Sequence, residues 1–558
     1  MNTEAPKTVR AGDLHPALTA LEAVYERALK RVHGLVSKDG RVSAGLLNRH
    51  QLAAHGLAYL ATELEAARQV VAWAERVSAS DDDTELEVSI AGAYVGELCR
   101  QLVGGVELGP CESIGLSELG LEAEDIATTL QSPKVQAIAE RYASGEALCR
   151  LARLAVEKRS FGAWALGDET LEAVQTEFRR FVQSEVEPIA QDVHRKDVLI
   201  PMDLIQKMAE LGVFGLTIPE EYGGQGLDKV AMCVVTEELS RGYIGAGSLG
   251  TRAEIAAELI LGGGTEEQKQ EWLPKLASGE VLPTAVFTEP NNGSDLAHLK
   301  SRAEKQADGN YLVSGAKTWI THATRADLMT LLVRTNPDDD GYGGLSMMLA
   351  TKSRGSETNP ETEGFPDEGI TGTEIKVLGY RGMKEFEIGF DNFKVAGSAL
   401  LGGVEGQGFK QLMATFESAR IQTAARGVGV AQSALDQGLK YAQERIQFGA
   451  PIFEFPRVQR KIGRMVARIM ACRQLTFFAA RAKDSGKRCD LEAGMAKLLG
   501  TRAAWESADA CVQIHGGNGY AEEYVASRIL VDARVLSIFE GANEIQAHVI
   551  ARRLLEQA

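Results

Sequence analysis

The chain has 558 residues, of which 44% are hydrophobic and 25% charged, a composition typical of a globular protein with several domains. Its formal net charge of −17 argues against nucleic acid or an anionic membrane as the main partner. The seven cysteines are scattered, without a Cys-x-x-Cys pair or a metal-ligand spacing. We therefore predict reduced, mostly packed thiols and no metal site.

The N-terminal sequence MNTEAPKTVRAGDLHP has neither the apolar core of a signal peptide nor the acid-poor, Arg-rich character of a transit peptide. No apolar run approaches the length that spans a bilayer. These features predict a cytoplasmic protein without a membrane partner.

Residues 1–160 are predicted to be helical and carry no evident ligand-binding motif. The segment LAYLATELEAARQVVAWAERV has apolar residues at helical spacing. A shift of 405 residues aligns this region with helices near the C-terminus, for example Arg68 with Arg473 and Leu86 with Leu491. We interpret the match as a degenerate internal repeat. Chance similarity between two helices rich in Ala, Leu and Arg is the alternative.

Residues 165–284 are also predicted to be helical. The first helix is amphipathic and is expected to end at Pro188, because proline disrupts a helix interior. Thr265 and Gln268 form a capping pattern that begins a later helix. Between these two predicted helices, the segment SLGTRAEI places Thr251 and Arg252 among small and apolar residues. Arg252 is therefore either a surface residue or a buried anchor for an anion.

Residues 285–398 change to alternating, β-branched stretches, which predict a β domain. The turn in VFTEPNNGSD supplies short donors, including Thr288 and Ser294, that suit an anion or the edge of a ring. In TWIT, the period of two places Trp319 and Thr321 on one face, which suits a flat heteroaromatic ligand. Taken singly, each of these residues is compatible with ordinary β packing.

Residues 399–558 are predicted to form long helices joined by glycine turns. One helix carries Arg420 and leads to Arg445, and QIHGGNGY presents a turn whose backbone N–H groups suit a pyrophosphate. In the segment IFEG, Glu540 precedes Gly541, where the helix should end.

Glu540 follows two apolar residues, Ile538 and Phe539. Their burial would desolvate the carboxylate and raise its pKa toward that of a general base. On this segment alone, a solvated glutamate in a helix-ending turn remains the alternative reading.

Five motifs occur in the order FTEPNNGSD, TWIT, ERIQFGAPI, QIHGGNGY and IFEGANEIQ. Together they make residues 165–558 resemble the acyl-CoA dehydrogenase family. The resemblance implies a mostly helical α+β fold that combines a helical domain (165–284), a β-barrel-like domain (285–398) and a C-terminal four-helix bundle (399–558). The helical extension at 1–160 would be an additional domain. FAD is implied where the family domains meet.

The resemblance assigns roles to individual residues. Glu540 matches the catalytic base and Arg420 the arginine that orients it, whereas the position used for the base in other members is Ala419, which cannot serve. The residues matched to FAD binding are Phe287, Thr288, Ser294, Trp319, Thr321, Ala542 and Glu544, together with Arg445, Phe448, Gln513, Gly516 and Gly517, which would reach the FAD of a neighbouring subunit. The expected substrate-binding residues are Ser294, Thr251, Arg252, His322 and Gly541.

The implied reaction is the FAD-dependent α,β-dehydrogenation of a short branched acyl-CoA, with an electron-transferring flavoprotein as acceptor. (2S)-Methylsuccinyl-CoA, oxidised to mesaconyl-CoA, is the expected substrate. Its free carboxylate would need a buried cation or several hydrogen-bond donors, and Arg252, with His322 in reserve, is the candidate. A homo-oligomer is implied, and we predict a dimer because the extension would cover the surface through which family dimers form tetramers.

Three alternatives remain. The substrate is another short or branched acyl-CoA, the protein is a flavin oxidase that passes electrons to oxygen, or it is a non-enzymatic nucleic-acid-binding homologue. The negative net charge and the presence of Glu540 disfavour the nucleic-acid-binding alternative.

Overall fold

The computed structural model describes residues 10–80, 83–357 and 360–558. The first nine residues, on which part of the argument against a leader sequence rests, lie outside these ranges, as do residues 81–82 of the acidic tract. The chain divides into two compact units, Met1–Glu172 with Thr423–Ala558, and Ala173–Gln422. No helix within the described ranges is long and apolar enough to cross a membrane.

The N-terminal extension is helical, as predicted, but it also contains two short hairpins that the sequence analysis missed. Its helices are α1 (His15–Val36), α2 (Ala44–Arg49), α3 (Gln51–Ser78), α4 (Glu85–Leu102), α5 (Ala123–Thr128), α6 (Pro133–Ala143) and α7 (Gly145–Lys158), and its hairpins pair β1 (Ser37–Lys38) with β2 (Arg41–Val42) and β3 (Val106–Gly109) with β4 (Glu112–Ile114). Helices α3 and α4 are buried over most of their surface, with Trp73 fully enclosed. Such all-round burial is typical of helices at the centre of a bundle.

The next segment is helical, and here one prediction is wrong. Its helices are α8 (Glu169–Phe181), α9 (Glu187–Lys196), α10 (Met202–Glu210), α11 (Lys229–Gly242), α12 (Ile244–Gly263) and α13 (Glu266–Ala277). Pro188 does not end a helix. A π-helical turn at Val182–Val186 takes up an extra residue, and Pro188 lies in the first turn of α9. A proline costs little there, because the first N–H groups of a helix have no intrahelical acceptor.

The seven strands that the structure describes between residues 283 and 395 form one sheet. They are β5 (Pro283–Val286), β6 (Arg302–Lys305), β7 (Tyr311–Thr321), β8 (Leu328–Arg334), β9 (Leu345–Thr351), β10 (Ile370–Ile375) and β11 (Glu385–Val395), and a short helix, α14 (Pro360–Glu363), precedes β10. The strand order is β10-β11-β7-β6-β8-β5, and β9 pairs with β8. The pairings of β8 with β5 and β6 are parallel, and the other pairings in the sheet are antiparallel.

The C-terminal region returns to long helices. Its elements are α15 (Gly408–Glu444), the hairpin β12 (Ile446–Gln447) and β13 (Ala450–Pro451), α16 (Pro456–Asp484), α17 (Asp490–His515), α18 (Val525–Leu536) and α19 (Asn543–Gln557). The expected fold class, mostly helical with a single β region and an additional helical N-terminal domain, is confirmed.

Within the first unit, the extension packs on the C-terminal helices in a regular way. Helices α3 and α16 begin 405 residues apart, and so do α4 and α17. Glu63 on α3 accepts hydrogen bonds from Arg468 on α16, which is also 405 residues away. Under the same shift, Tyr59 corresponds to Arg464 and Glu97 corresponds to Arg502. Arg464 pairs with Glu97, and the Arg502 guanidinium lies over the Tyr59 ring, so each contact joins the positions equivalent to those of the other.

Candidate active site

Glu540 lies in the turn between α18 and α19. Helix α18 already ends at Leu536, earlier than predicted, and both Glu540 (φ 53°) and Gly541 (φ 86°) adopt left-handed backbone conformations. The Glu540 side chain is only 11% exposed. Ile538 is 56% exposed, so the prediction that it shields the carboxylate is wrong.

A fully buried arginine accompanies Glu540. The Nη2 atom of Arg426, on α15, lies 3.9 Å from Glu540 Oε1 and donates to Thr423 Oγ1 at 2.7 Å. The Arg426 guanidinium also lies over the Phe539 ring, 4.8 Å from its centroid. Phe539 therefore helps to hold the cation beside the carboxylate, rather than only excluding water as the sequence suggested. Arg426 was not predicted from the sequence, because no local pattern links α15 to this turn.

A buried lysine fixes the same turn from α17. Lys497 Nζ donates to the Gly541 carbonyl oxygen at 2.7 Å and to Asn543 Oδ1 at 2.9 Å. Gly541 also has little free space, since a Cβ atom there would lie 2.2 Å from Gln546 Nε2. The turn that carries Glu540 is thus held by tertiary contacts that a larger residue at 541 would disturb.

In the second unit, a buried ion pair closes the turn that follows β5. Lys317 Nζ donates to the Phe287 carbonyl oxygen at 2.9 Å and to Glu289 Oε1 at 3.1 Å. Glu289 in turn accepts hydrogen bonds from the backbone N–H groups of Lys300 and Ser301. Burial lowers the pKa of Lys317 to about 8, against the opposing effect of Glu289. This pair ties together both ends of the turn that presents Thr288 and Ser294.

Trp319 and Thr321 lie at the irregular end of β7. The pairing of β7 with β11 shifts register around residues 318–319, and Trp319 has φ +60° with 55% of its surface exposed. Thr321 is buried, and its hydroxyl donates to Glu385 Oε2 at 2.9 Å. A bulge, rather than simple alternation, therefore aims the indole ring.

Arg252 and His322 are both buried. Arg252 lies on α12, and His322, which directly follows β7, is 2% exposed with a left-handed backbone (φ 66°). Burial, followed by the positive charges of Arg325, Arg354, Arg252 and Lys352, lowers the pKa of His322 to about 3. Among the described residues, neither ring nitrogen of His322 has a hydrogen-bond partner. Thr251, also on α12, is buried and donates to the Gly247 carbonyl oxygen.

The remaining predicted site residues fall into two groups. Arg420 is half-buried with its guanidinium over Phe416, Ala419 is buried, and Ala542 and Glu544 lie at the start of α19. The residues expected to reach a neighbouring subunit are all exposed in the single chain: Arg445, Phe448, Gln513, Gly516 and Gly517. Phe448 is 95% exposed, an unusual position for an aromatic side chain.

The chain is similar to known proteins over most of its length. Three family models match in series: the N-terminal domain of acyl-CoA dehydrogenase over residues 168–280, the middle domain over 284–393 and the C-terminal domain over 406–555. The structure of butyryl-CoA dehydrogenase from Megasphaera elsdenii superimposes with a TM-score of 0.65 at 30% identity, covering 70% of this chain and 98% of that one.

Two relatives extend the comparison. The (2S)-methylsuccinyl-CoA dehydrogenase of Cereibacter sphaeroides is 55% identical over 544 residues, which cover 97% of each chain. An acyl-CoA dehydrogenase of Bacillus subtilis is 38% identical over 378 residues, which cover 68% of this chain and 96% of the relative. The chain therefore belongs to the acyl-CoA dehydrogenase family, whose members generally use FAD, and is an enzyme of acyl-CoA dehydrogenation.

Proposed function

We propose that the chain oxidises (2S)-methylsuccinyl-CoA to mesaconyl-CoA with FAD as cofactor. The match to the Cereibacter sphaeroides enzyme supports this substrate, because it covers 97% of this chain and so includes most of the N-terminal extension, whereas the Bacillus subtilis relative matches 68%. The observation that carries the proposal is the buried, cation-rich surrounding of His322, which suits an acyl group bearing a free carboxylate.

The residues assigned to FAD suit that cofactor. In the second unit, the exposed indole of Trp319 offers a flat apolar surface, and Thr288 and Ser294 offer hydroxyl groups. In the first unit, a Cβ atom at Gly516 or Gly517 would meet no atom within 4 Å, so a phosphate can approach the backbone closely. When bound, the flavin supplies the hydride acceptor.

The Lys317–Glu289 pair is expected to govern how tightly FAD is held. Replacing Lys317 with methionine leaves Glu289 buried without its cation, which should loosen the turn around Thr288 and Ser294. Breaking a buried ion pair from one side costs about 3 to 5 kcal/mol of stability. We expect the purified Lys317→Met variant to lose FAD on dilution, followed by flavin fluorescence, while the wild type retains it. Equal retention in both proteins would contradict the assignment.

The chemistry requires two hydrogens to leave adjacent carbons of the acyl chain, one as a proton from Cα and one as a hydride from Cβ. The Glu540 carboxylate accepts the α-proton, and the C–H electron pair forms the new C=C bond. The family resemblance assigns the Glu540 backbone N–H to the thioester carbonyl oxygen, where it would stabilise enolate character. Lys497, by holding the Gly541 carbonyl, keeps that N–H and the carboxylate on one fixed turn.

Arg252 and His322 are proposed to bind the free carboxylate of the substrate. An imidazole with two buried, unpartnered nitrogens is costly, at about 1 to 3 kcal/mol for each unsatisfied group, unless a ligand completes it. His322 is neutral near pH 7 because its pKa is about 3, so it can donate one N–H, and the surrounding cations balance the negative charge of the substrate. Thr251, Ser294 and Gly541 remain proposed substrate contacts.

We further propose that the extension is a repeat of the C-terminal bundle and takes the place of a second subunit. In a two-fold interface, if residue i contacts j, then the copy of j contacts the copy of i. The Arg464–Glu97 and Tyr59–Arg502 contacts follow this rule under the 405-residue shift, and Glu63–Arg468 joins equivalent positions. The exposed Phe448 and Gly516 remain available to a true partner, so the assembly is proposed to be a homodimer.

The full chain should therefore have the mass of two subunits in solution. Size-exclusion chromatography with light scattering, performed over a range of concentrations with FAD bound, measures this directly. A stable tetramer would show that the extension does not cover the tetramer surface. A monomer that retains full activity would contradict the assignment of Arg445, Phe448 and Gln513 to the FAD of a partner.

The substrate proposal is tested by turnover of a panel of acyl-CoAs that vary in length, branching and terminal charge. With an electron-transferring flavoprotein as proposed acceptor, kcat/KM should be highest for (2S)-methylsuccinyl-CoA. A preference for an uncharged acyl-CoA would contradict the proposed substrate while leaving the family assignment intact. In the same assays, hydrogen peroxide formed in stoichiometric amounts would favour the oxidase instead.

A further inference from the structure

Arg426 is a buried cation that contacts the turn carrying Glu540. Its side chain has no exposed surface, lies over Phe539, and pairs with Glu540 Oε1 at 3.9 Å. Its bond to Thr423 Oγ1 fixes the guanidinium from its own helix. These contacts help to fix the position of Arg426, and one of them is with the carboxylate assigned as base.

Charged groups are also carried by α17, which contacts this turn, and by α18 and α19, which precede and follow it. Helix α17 contributes Lys497, which binds the Gly541 carbonyl, α18 contributes the buried Arg528 and Asp532, and α19 begins with the exposed Glu544. Arg426, on α15, is paired with the Glu540 carboxylate itself.

We propose that Arg426 is a positioning residue that keeps Glu540 ionised and oriented for proton abstraction. The inference rests on the proposed role of Glu540 as base. A carboxylate that is 11% exposed favours its neutral form, because burial removes water from the charge. A guanidinium at 3.9 Å favours the ionised form, which is the only form able to accept the α-proton.

The packing of the Arg426 guanidinium on the Phe539 ring sets its position relative to the Glu540 carboxylate. Arg426 remains beside the carboxylate because its planar group packs on the ring next in sequence to Glu540. The stacking contact thus holds the guanidinium 3.9 Å from Glu540 Oε1, a distance at which its charge favours the ionised carboxylate. Arg426 acts through Glu540 and is not assigned any contact with the acyl chain.

The experiment is the pH profile of kcat/KM for the FAD-loaded enzyme, with an acyl-CoA that the wild type oxidises. In Arg426→Gln, the acidic limb of the profile should move up by about 1 to 3 pH units, the size of the effect of a neighbouring guanidinium on a carboxylate. Arg426→Lys retains the positive charge and should keep the acidic limb close to that of the wild type. Arg426→Met serves the same purpose as the glutamine variant if that variant does not fold.

Arg473→Met is the matched control. Arg473 is also buried, lies over the Trp164 ring at 4.5 Å and donates to Gln432. Its removal should lower thermal stability without moving the acidic limb.

Coincident acidic limbs in the wild type and Arg426→Gln would overturn the proposal, as would an equal shift in Arg426→Lys or in Arg473→Met. A wild-type enzyme that oxidises no acyl-CoA would count instead against the proposed function. The two failures are therefore distinguishable.

Discussion

Replacing Glu540 with glutamine is expected to lower kcat for acyl-CoA oxidation by about 100- to 10,000-fold, the usual loss when one acid–base group is removed. Glutamine keeps the size of the side chain and the backbone of the left-handed turn, so FAD and acyl-CoA should still bind. The amide cannot accept the α-proton. Rapid-mixing measurement of the rate of flavin reduction isolates this step from product release.

Glu523→Gln is a suitable control for that experiment, because Glu523 is an exposed glutamate of the same unit that has no assigned role in the site. Its flavin reduction should match that of the wild type. Near-normal flavin reduction in Glu540→Gln would mean that another residue is the base. Ala419, the alternative family position, has no group that could substitute.

The second large effect is expected at Arg252. Arg252→Ala should reduce kcat/KM for (2S)-methylsuccinyl-CoA by about 30-fold to a few thousand-fold, since truncating one partner of a buried charge pair costs about 2 to 5 kcal/mol. An uncharged acyl-CoA of similar size should lose far less, because it brings no anion to the pocket. The measurement is the ratio of kcat/KM values for the two substrates.

Arg354→Ala is the matched control, because Arg354 is also a cation near His322 but is more exposed than Arg252. Arg354 pairs with Asp327 at 2.6 Å and has a side chain that is 39% exposed, so its removal should change the substrate ratio little. Equal losses on both substrates in Arg252→Ala, or no loss on either, would remove Arg252 from the carboxylate site. His322→Asn, which removes the imidazole, would then test the reserve candidate.

Much of the site could be predicted from the sequence because its chemistry is carried by short motifs. Glu540 and Gly541 are adjacent in the chain, and a glycine turn is a local property, so the position of the carboxylate in a turn was predictable. The groups that shield Glu540 from water could not be predicted from the sequence. Ile538 points to solvent, and the buried surroundings come from α15 and α17.

Arg426, Lys497 and Lys317 were missed for one physical reason. Each acts through a contact with a residue distant in the sequence: Arg426 with Glu540, Lys497 with Gly541, and Lys317 with Glu289. Periodicity shows which face of an element is apolar, but it does not show which buried polar group meets which partner. A charged residue within an apolar stretch was the available signal, and it was used for Arg252 alone.

Errors in local structure had a similar origin. Pro188 reads as a helix breaker, yet the π-turn before it places the proline where a helix can begin. The bulge near Trp319 requires a mismatch between β7 and β11, which neither strand reveals alone. The 405-residue repeat was visible in the sequence, but the exchanged contacts that suggest a two-fold relation required the packed helices.

The most direct test of the proposed reaction is a single turnover without oxygen. The FAD-loaded enzyme is mixed with (2S)-methylsuccinyl-CoA, while the loss of oxidised-flavin absorbance and the acyl-CoA products are followed together. The proposed function predicts rapid flavin reduction with about one equivalent of mesaconyl-CoA per reduced flavin, a stoichiometry fixed by the transfer of one hydride and one proton. Flavin that stays oxidised with this substrate, but is reduced by an uncharged branched acyl-CoA, would contradict it.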